Sequence, residues 1–416
     1  MGAGSTVLAV CKQGAGHTMK SSGDCLVTTS TCPCYIGDPQ PRFVLDLAIS
    51  LVPHFNRVHL LAPGAPGAAA REEIAGVFIH RFQYVWPASL QLLCYRHGIM
   101  QNIRANPLLL TLLPLFYSAQ VRAVTRLCDE FPVEVINSHW FVFQSMAAAR
   151  STRRRQVRHV AHSHGADLDL LHRLPAWLSH RILAAIVSSG TKMVCESTYV
   201  RGRLDSLLGH PSDAAVSCMG VDTAAFKPVT TGDRYRILFV GRLVEKKGVA
   251  FLLKAMPLVR KQIPAAVLEI VGDGEQATAL RTLAAKLGLD HNVIVFSGAR
   301  PHAEVAAALA NARVIVVPSV MDRHGEVDGM PTVLLEAMAS GKRVVGTRVD
   351  GIPDVLKHGE NGWMCEPADV TALAEQLISA LQDSDERIPL AARTTAEHYN
   401  WPVLAERYAA LLLIRP

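Results

Sequence analysis

The sequence predicts an α/β protein made of two doubly wound domains, and three observations support this. From residue 236 onward, short β-branched runs alternate strictly with helical periodicities. Those runs are almost continuously apolar, as strands are when helices cover both faces of a parallel sheet. Residues 25–218 repeat the alternation less regularly, and 416 residues are enough for two domains with separate cores.

In chain order, residues 25–29 read as a buried strand, 30–41 as a loop rich in Pro, Gly and Asp, and 43–54 as a helix. Strands at 58–61 and 77–82 flank a Gly/Pro/Ala linker with a short polar turn. Residues 86–130 are helical in character, interrupted by Pro107 and Pro114. A strand at 133–137, a helix at 141–150 and a strand at 157–161 follow. After them come a helix near 178–187, a strand at 193–195, a helix through 207 and a strand at 214–218. The second half places strands at 236–240, 268–271, 293–296, 314–317, 343–346 and 363–365. Helices at 249–261, 276–287, 303–310, 332–340 and 353–357 separate them. The domains join near 218–234, giving a first domain over 25–220 after an extension at 1–24.

Half the residues are hydrophobic and 19% are charged, the composition of a globular chain. The most apolar stretch, 107–117, contains Pro114 and falls short of membrane width. Val7–Val10 is too short for a secretory signal, residues 1–6 fit the loose myristoylation pattern, and Met19 is an alternative start. The nine cysteines lack metal-like spacing, Cys32 and Cys34 being the close pair, and read as reduced thiols of a cytoplasmic protein.

Residues 1–220 carry 20 Lys and Arg against 13 Asp and Glu, net +7, while 221–416 carry 22 against 23, net −1, which together make the stated +6. The basic excess gathers at Arg150, Arg153, Arg154, Arg155 and Arg158. Such a cluster reads as a solvated face or as a contact for an anionic membrane surface. No aromatic residues interleave the arginines, which argues against nucleic acid.

Ligands of doubly wound sheets bind beyond the carboxyl ends of the strands, and four clusters fall there. The stretch from Asp328 to Gly341 sets Pro331 at a helix start and Glu336 among apolar residues. A glutamate in such a helix is either exposed or needs a partner, which a ligand hydroxyl would supply, and the free N–H groups at the helix start, around Met330 to Val333, suit an anion. Gly241 to Gly248 opens a helix and brings Arg242 and Lys247, fixed charges suited to a diphosphate; a solvated turn is the plainer account. Gly272-Asp273-Gly274 lacks a third glycine and reads as a turn. His139 ends one strand and His162, His164 and Asp167 follow the next, a histidine group suited to one cleft.

These motifs together resemble glycosyltransferase family four: Gly241-Arg242-Leu243 with Lys247-Gly248, the acid pair Asp328 and Glu336, His164-Gly165-Ala166-Asp167, and Gly220-Val221-Asp222 before Phe226. The resemblance covers about residues 25–412. It implies the GT-B fold, two Rossmann-like domains facing across a cleft: an acceptor domain over 25–220, a nucleotide-sugar domain over 221–396, and a last helix within 397–416 that packs back on the first domain.

The resemblance also implies roles. Arg242 and Lys247 would hold a donor diphosphate, Glu336 the ribose hydroxyls, Asp328 the donor sugar, and Gly329, Met330, Pro331, Thr332 and Val333 would line phosphate or sugar. His164, with His139 as second choice, would assist at the acceptor. The implied activity is a retaining hexosyl transfer from a nucleotide-diphosphate sugar to a glycan or lipid-linked acceptor, in polysaccharide or glycolipid assembly. It needs neither metal nor cofactor and would take place in the cytoplasm, peripheral to the inner face of the membrane. The chain departs from the family at Asp328, where Glu is usual and where Glu326 is a substitute, and at 37–41, where a Gly-Gly pair is usual. A sugar-nucleotide epimerase or hydrolase on the same fold, or a non-catalytic membrane-associated subunit, are the alternatives.

Overall fold

The computed structural model describes residues 20–35, 38, 41–95, 98–153, 155–229 and 232–414. The pattern at 1–6, Met19, Arg154, most of the 1–24 extension and most of 36–40 lie outside them. The chain divides into two compact units. One runs to Glu196 and includes Val200–Ser217 and Trp401–Pro416; the other holds Ser197–Tyr199 and Cys218–Asn400. The border therefore falls three residues before the expected 220/221, and residues 397–400 stay with the second unit.

The first unit is built on an eight-stranded sheet of order β3-β4-β2-β1-β5-β6-β7-β8. The strands are β1 (Asp24–Thr28), β2 (Val58–Pro63), β3 (Arg71–Ile74), β4 (Val77–Phe82), β5 (Val133–His139), β6 (Arg158–Ser163), β7 (Lys192–Cys195) and β8 (Ala215–Val216). All pairings are parallel except β3 with β4. The expected linker before residue 77 thus contains an edge strand. Ala75 and Gly76 both have positive φ, the backbone a two-residue hairpin turn requires.

Its helices are α1 (Phe43–Leu51), α2 (Ile99–Ala105), α3 (Leu113–Glu130), α4 (Met146–Thr152), α5 (Ala166–Arg173) and α6 (Ala176–Val187). The expected helix over 141–150 begins only at Met146, because Val142 and Phe143 hold non-helical backbone with Phe143 at φ 68°. Pro107–Glu130 forms a 24-residue helical run long and apolar enough to cross a membrane by length and composition, more than its prolines suggested. Pro107 and Pro114 stand in the first turns of their helical segments, where proline has no amide bond to lose. Phe116, Ala119, Ala123, Val124 and Leu127 of α3 are buried in a core with Leu26, Leu61 and Ile136 of the sheet, so this helix serves as a core helix.

The second unit carries a six-stranded, wholly parallel sheet of order β11-β10-β9-β12-β13-β14. Its strands are β9 (Arg236–Val240), β10 (Val267–Val271), β11 (Ile294–Gly298), β12 (Val314–Val317), β13 (Arg343–Thr347) and β14 (Trp363–Cys365). Following α7 (Thr198–Leu208) in the chain, its helices are α8 (Val249–Gln262), α9 (Ala277–Lys286), α10 (His302–Asn311), α11 (Thr332–Ala339), α12 (Ile352–Val355), α13 (Val370–Gln382) and α14 (Arg387–Glu397). Leu373, Leu377 and Leu381 of α13 pack with Leu252, Met256 and Val259 of α8 over one set of strand residues. Leu334, Leu335 and Met338 of α11 join Ala392 and Ala396 of α14 in a second core. The sequence reading placed neither α13 nor α14.

The final helix, α15 (Trp401–Leu413), belongs to the first unit. Tyr408 is fully buried there, its hydroxyl bonded to His162, and Arg158 donates to the Leu413 carbonyl at 2.6 Å. None of the eight described cysteines forms a disulfide.

Candidate functional site

In the first unit, the parallel register sets His139 at the end of β5 directly beside His162 on β6. His164 lies one residue past β6. Its Nε2 is 2.9 Å from Nδ1 of His139, and its Nδ1 is 2.9 Å from Oε2 of Glu196, the residue following β7. Asn137 Nδ2 lies 3.3 Å from His139 Nε2. Three neighbouring strand ends thus build one hydrogen-bonded chain. His139 and His162 are fully buried, and the His164 side chain is 6% exposed. Phe43 and Trp140 pack on its ring at 5.1 and 4.9 Å between centroids.

Burial strips water from all three imidazoles and disfavours their charged forms. It lowers His164 to about 4 and holds His139 and His162 well below the ordinary histidine value. One nitrogen from each ring lies within 4.8 Å of the others, the spacing of a metal-ligand group. The His162 and His164 rings, however, stack within 7° of parallel, so their in-plane lone pairs do not converge on one point. Asp167 turns inward: it accepts from the Phe141 amide and the Ser163 hydroxyl, both at 2.8 Å, and so fixes the turns that follow β5 and β6.

In the second unit, the two glycine motifs pack on each other. A Cβ on Gly272 would lie 1.9 Å from the Gly241 carbonyl oxygen, and one on Gly248 would lie 1.8 Å from that of Pro318. Gly272-Asp273-Gly274 is therefore a close-packed turn, matching the plain reading of its sequence. Arg242 is exposed just past β9, and Lys247 ends the short turn before α8. Asp328 lies in the loop after β12, the neighbour of β9 in the sheet, and forms an ion pair with Lys247. Lys246 Nζ donates to the Val327 carbonyl at 2.9 Å.

The Gly329 N–H donates to Asp350, which also accepts from Ser197 at 3.0 Å. Pro331 caps α11 by backbone alone, with no side-chain bond, so the first amides of the helix lack an intrahelical acceptor. Glu336 is the interior residue of α11 left outside the core, its side chain 14% exposed, with Oε1 3.7 Å from Nε2 of the exposed His302. Glu326 stands in a turn closed by Asp322, whose carboxylate accepts from the Glu326 amide at 2.9 Å.

Sequence reasoning passed over Glu196, Asp350, His302 and Tyr408. Glu196 was within reach, since it follows a parallel strand as His139 ends one. Tyr408 was not, because nothing local shows which sheet the last helix meets.

Residues 40–225 match the family model Glycosyltransferase Family 4, and residues 221–399 match Glycosyl transferases group 1. The GDP-mannose-dependent alpha-(1-6)-phosphatidylinositol monomannoside mannosyltransferase of Mycolicibacterium smegmatis is 30% identical over 305 residues, 69% of this chain and 78% of that protein. The chain belongs to glycosyltransferase family 4. Another relative within this family, WcaL of Escherichia coli K12, is named for colanic acid biosynthesis. It is 36% identical over 230 residues, which span 54% of this chain and only 56% of that relative's own length. Among solved structures, Anabaena HepE in complex with UDP and glucose superposes with a TM-score of 0.67 at 16% identity, covering 94% of this chain and 99% of that one. The likeness establishes the GT-B fold for this family-four chain.

Proposed function

We propose that this family-four protein transfers a sugar from a nucleoside-diphosphate donor to an acceptor hydroxyl with retained anomeric configuration, in polysaccharide or glycolipid assembly. The observation that carries this reading is the gathering of Arg242, Lys247, Asp328 and the uncapped start of α11 beyond two adjacent strands, β9 and β12, with Glu336 one turn further on. Breaking the bond from the sugar to the diphosphate builds negative charge on the departing group. Preorganised positive groups and helix amides stabilise such charge without reorganising. In this reading Arg242, Lys247 and the amides of Thr332 and Val333 take the diphosphate, Glu336 takes the ribose hydroxyls, and Asp328 takes the sugar once donor binding draws Lys247 away. His164 hydrogen-bonds on the acceptor side once the acceptor displaces its Nε2 bond to His139. Charge stabilisation falls to these groups and not to a metal ion, so a chelator should leave turnover unchanged. The relatives' names and the UDP and glucose bound by HepE support a nucleotide-sugar donor and a glycan or lipid acceptor.

The reading places the protein in the cytoplasm on the inner face of the membrane. Trp86 at 83% and Leu108 at 76% exposure, with Leu110 and Leu115, offer apolar side chains to a lipid surface. The arginine cluster contributes less charge than the sequence suggested, because Arg155 pairs with Asp129 and Arg158 with Glu134. Arg150 and Arg153 remain exposed.

The test is a thermal-shift series with nucleoside diphosphates and their sugar conjugates. One donor should raise the melting temperature of the wild-type protein by mass action, and Arg242→Ala should remove that rise. An unchanged rise in the variant would remove the diphosphate assignment.

A further inference from the structure

We infer that Glu196 is a positioning residue that decides which nitrogen of His164 carries the proton and, through His164, how His139 is protonated. The inference rests on the proposed acceptor-side role of His164 for its catalytic meaning, but the geometry behind it stands alone.

An ionised carboxylate accepts hydrogen bonds and donates none. Glu196 Oε2 lies 2.9 Å from His164 Nδ1, so that nitrogen carries the hydrogen. In a neutral ring, Nε2 is then bare. Nδ1 of His139, 2.9 Å away, must donate to it. His139 Nε2 is bare in turn and accepts from Asn137 Nδ2 at 3.3 Å. Each assignment follows from the one before, and the first follows from Glu196. Without the carboxylate, His164 could carry its proton on Nε2 and the His139 bond would reverse.

The other groups packed on His164 do not supply this direction. His162 stacks on its face, with ring centroids 4.5 Å apart, and turns Nδ1 to Tyr408. Phe43 and Trp140 present rings. The Asp167 carboxylate is committed to the Phe141 amide and the Ser163 hydroxyl. Glu196 is itself 6% exposed, so its bond to His164 is sheltered from competing water. An imidazole bonded to a buried carboxylate holds one tautomer, here with Nε2 left as an acceptor that an incoming hydroxyl would take over from His139.

The experiment is long-range proton–nitrogen NMR on the full chain labelled with nitrogen-15 histidine, with His164 assigned from His164→Asn, alongside steady-state kinetics. At pH 7.5, His164 should show the Nδ1–H tautomer. Glu196→Ala should convert it to Nε2–H or to an exchanging mixture, and should lower kcat by about tenfold or more while KM for the donor changes little. Glu196→Gln keeps a carbonyl oxygen in place, so it should retain Nδ1–H and recover part of kcat. This variant also guards against a misfolded Ala protein. An Nε2–H tautomer in the wild type, or an unchanged tautomer in Glu196→Ala, would overturn the inference. Absence of turnover in the wild type with an intact tautomer switch would count against the glycosyl-transfer reading alone.

Discussion

Asp328 and Lys247 are expected from the resemblance to hold different parts of one donor, and here they hold each other. Their side chains are 7% and 15% exposed, so removing one leaves the other as an uncompensated charge with little water. Lys247→Met should destabilise the second unit by on the order of 3 kcal/mol, read from urea denaturation. Adding Asp328→Asn should recover part of that loss, whereas additive losses would mean the pair does not couple. The shorter aspartate is compatible with this bond. Asp328, and not Glu326, is the acid paired with Lys247, and the Glu326 amide is held in the turn that Asp322 closes. The sequence showed both residues and their motifs. It did not show the bond, because the two are 81 positions apart. The Gly329 amide is likewise taken by a residue distant in sequence, Asp350, held at φ 53° on a separate loop.

At the scale of elements, the second unit was the more legible because its strands are apolar throughout and its helices have clear periods. The first unit hid what depends on backbone exceptions. The hairpin at Ala75 and Gly76 made an edge strand out of a polar segment, and Trp140 and Phe143, both at positive φ, delayed the expected helix. Pro107 and Pro114, taken as interruptions, stand where a helix tolerates proline, so a longer apolar helix forms than they suggested. Gly248 shows the opposite case, a motif residue whose need is local. It caps α8 at φ 67° against the Pro318 carbonyl. Gly248→Ala should therefore cost about 2–4 kcal/mol, with a parallel loss of donor binding as the Lys247 turn shifts. Wild-type stability in that variant, by thermal or urea melting, would mean that the turn relaxes freely.

At the scale of the molecule, seven histidines of the first unit are displaced by burial. His54 and His59 are lowered, His80 and His164 to about 4, His159 to about 3, and His139 and His162 well below the usual value. Between about pH 6.5 and 4 the unfolded chain binds protons that the folded unit refuses, so stability falls as pH falls through that window. The slope is on the order of 1 kcal/mol per pH unit for each displaced histidine. Asp167 opposes this, since burial raises its pKa and its folded form takes up a proton more readily as pH falls. Calorimetry should show the first unit's transition moving to lower temperature from pH 7 to 4, and a flat profile would contradict the burial of these rings. Membrane contact also concerns the whole chain: sedimentation with anionic vesicles at low salt should weaken when Trp86 and Leu108 become serine, and equal sedimentation would exclude that apolar surface. The central claim, sugar transfer with retention, is tested most directly by following the anomeric proton by NMR as the protein turns over the nucleotide sugar that stabilises it. The account predicts a product of unchanged anomeric configuration and nucleoside diphosphate release that requires an acceptor. Complete conversion of the nucleotide sugar without any acceptor, or a product of inverted configuration, would contradict it.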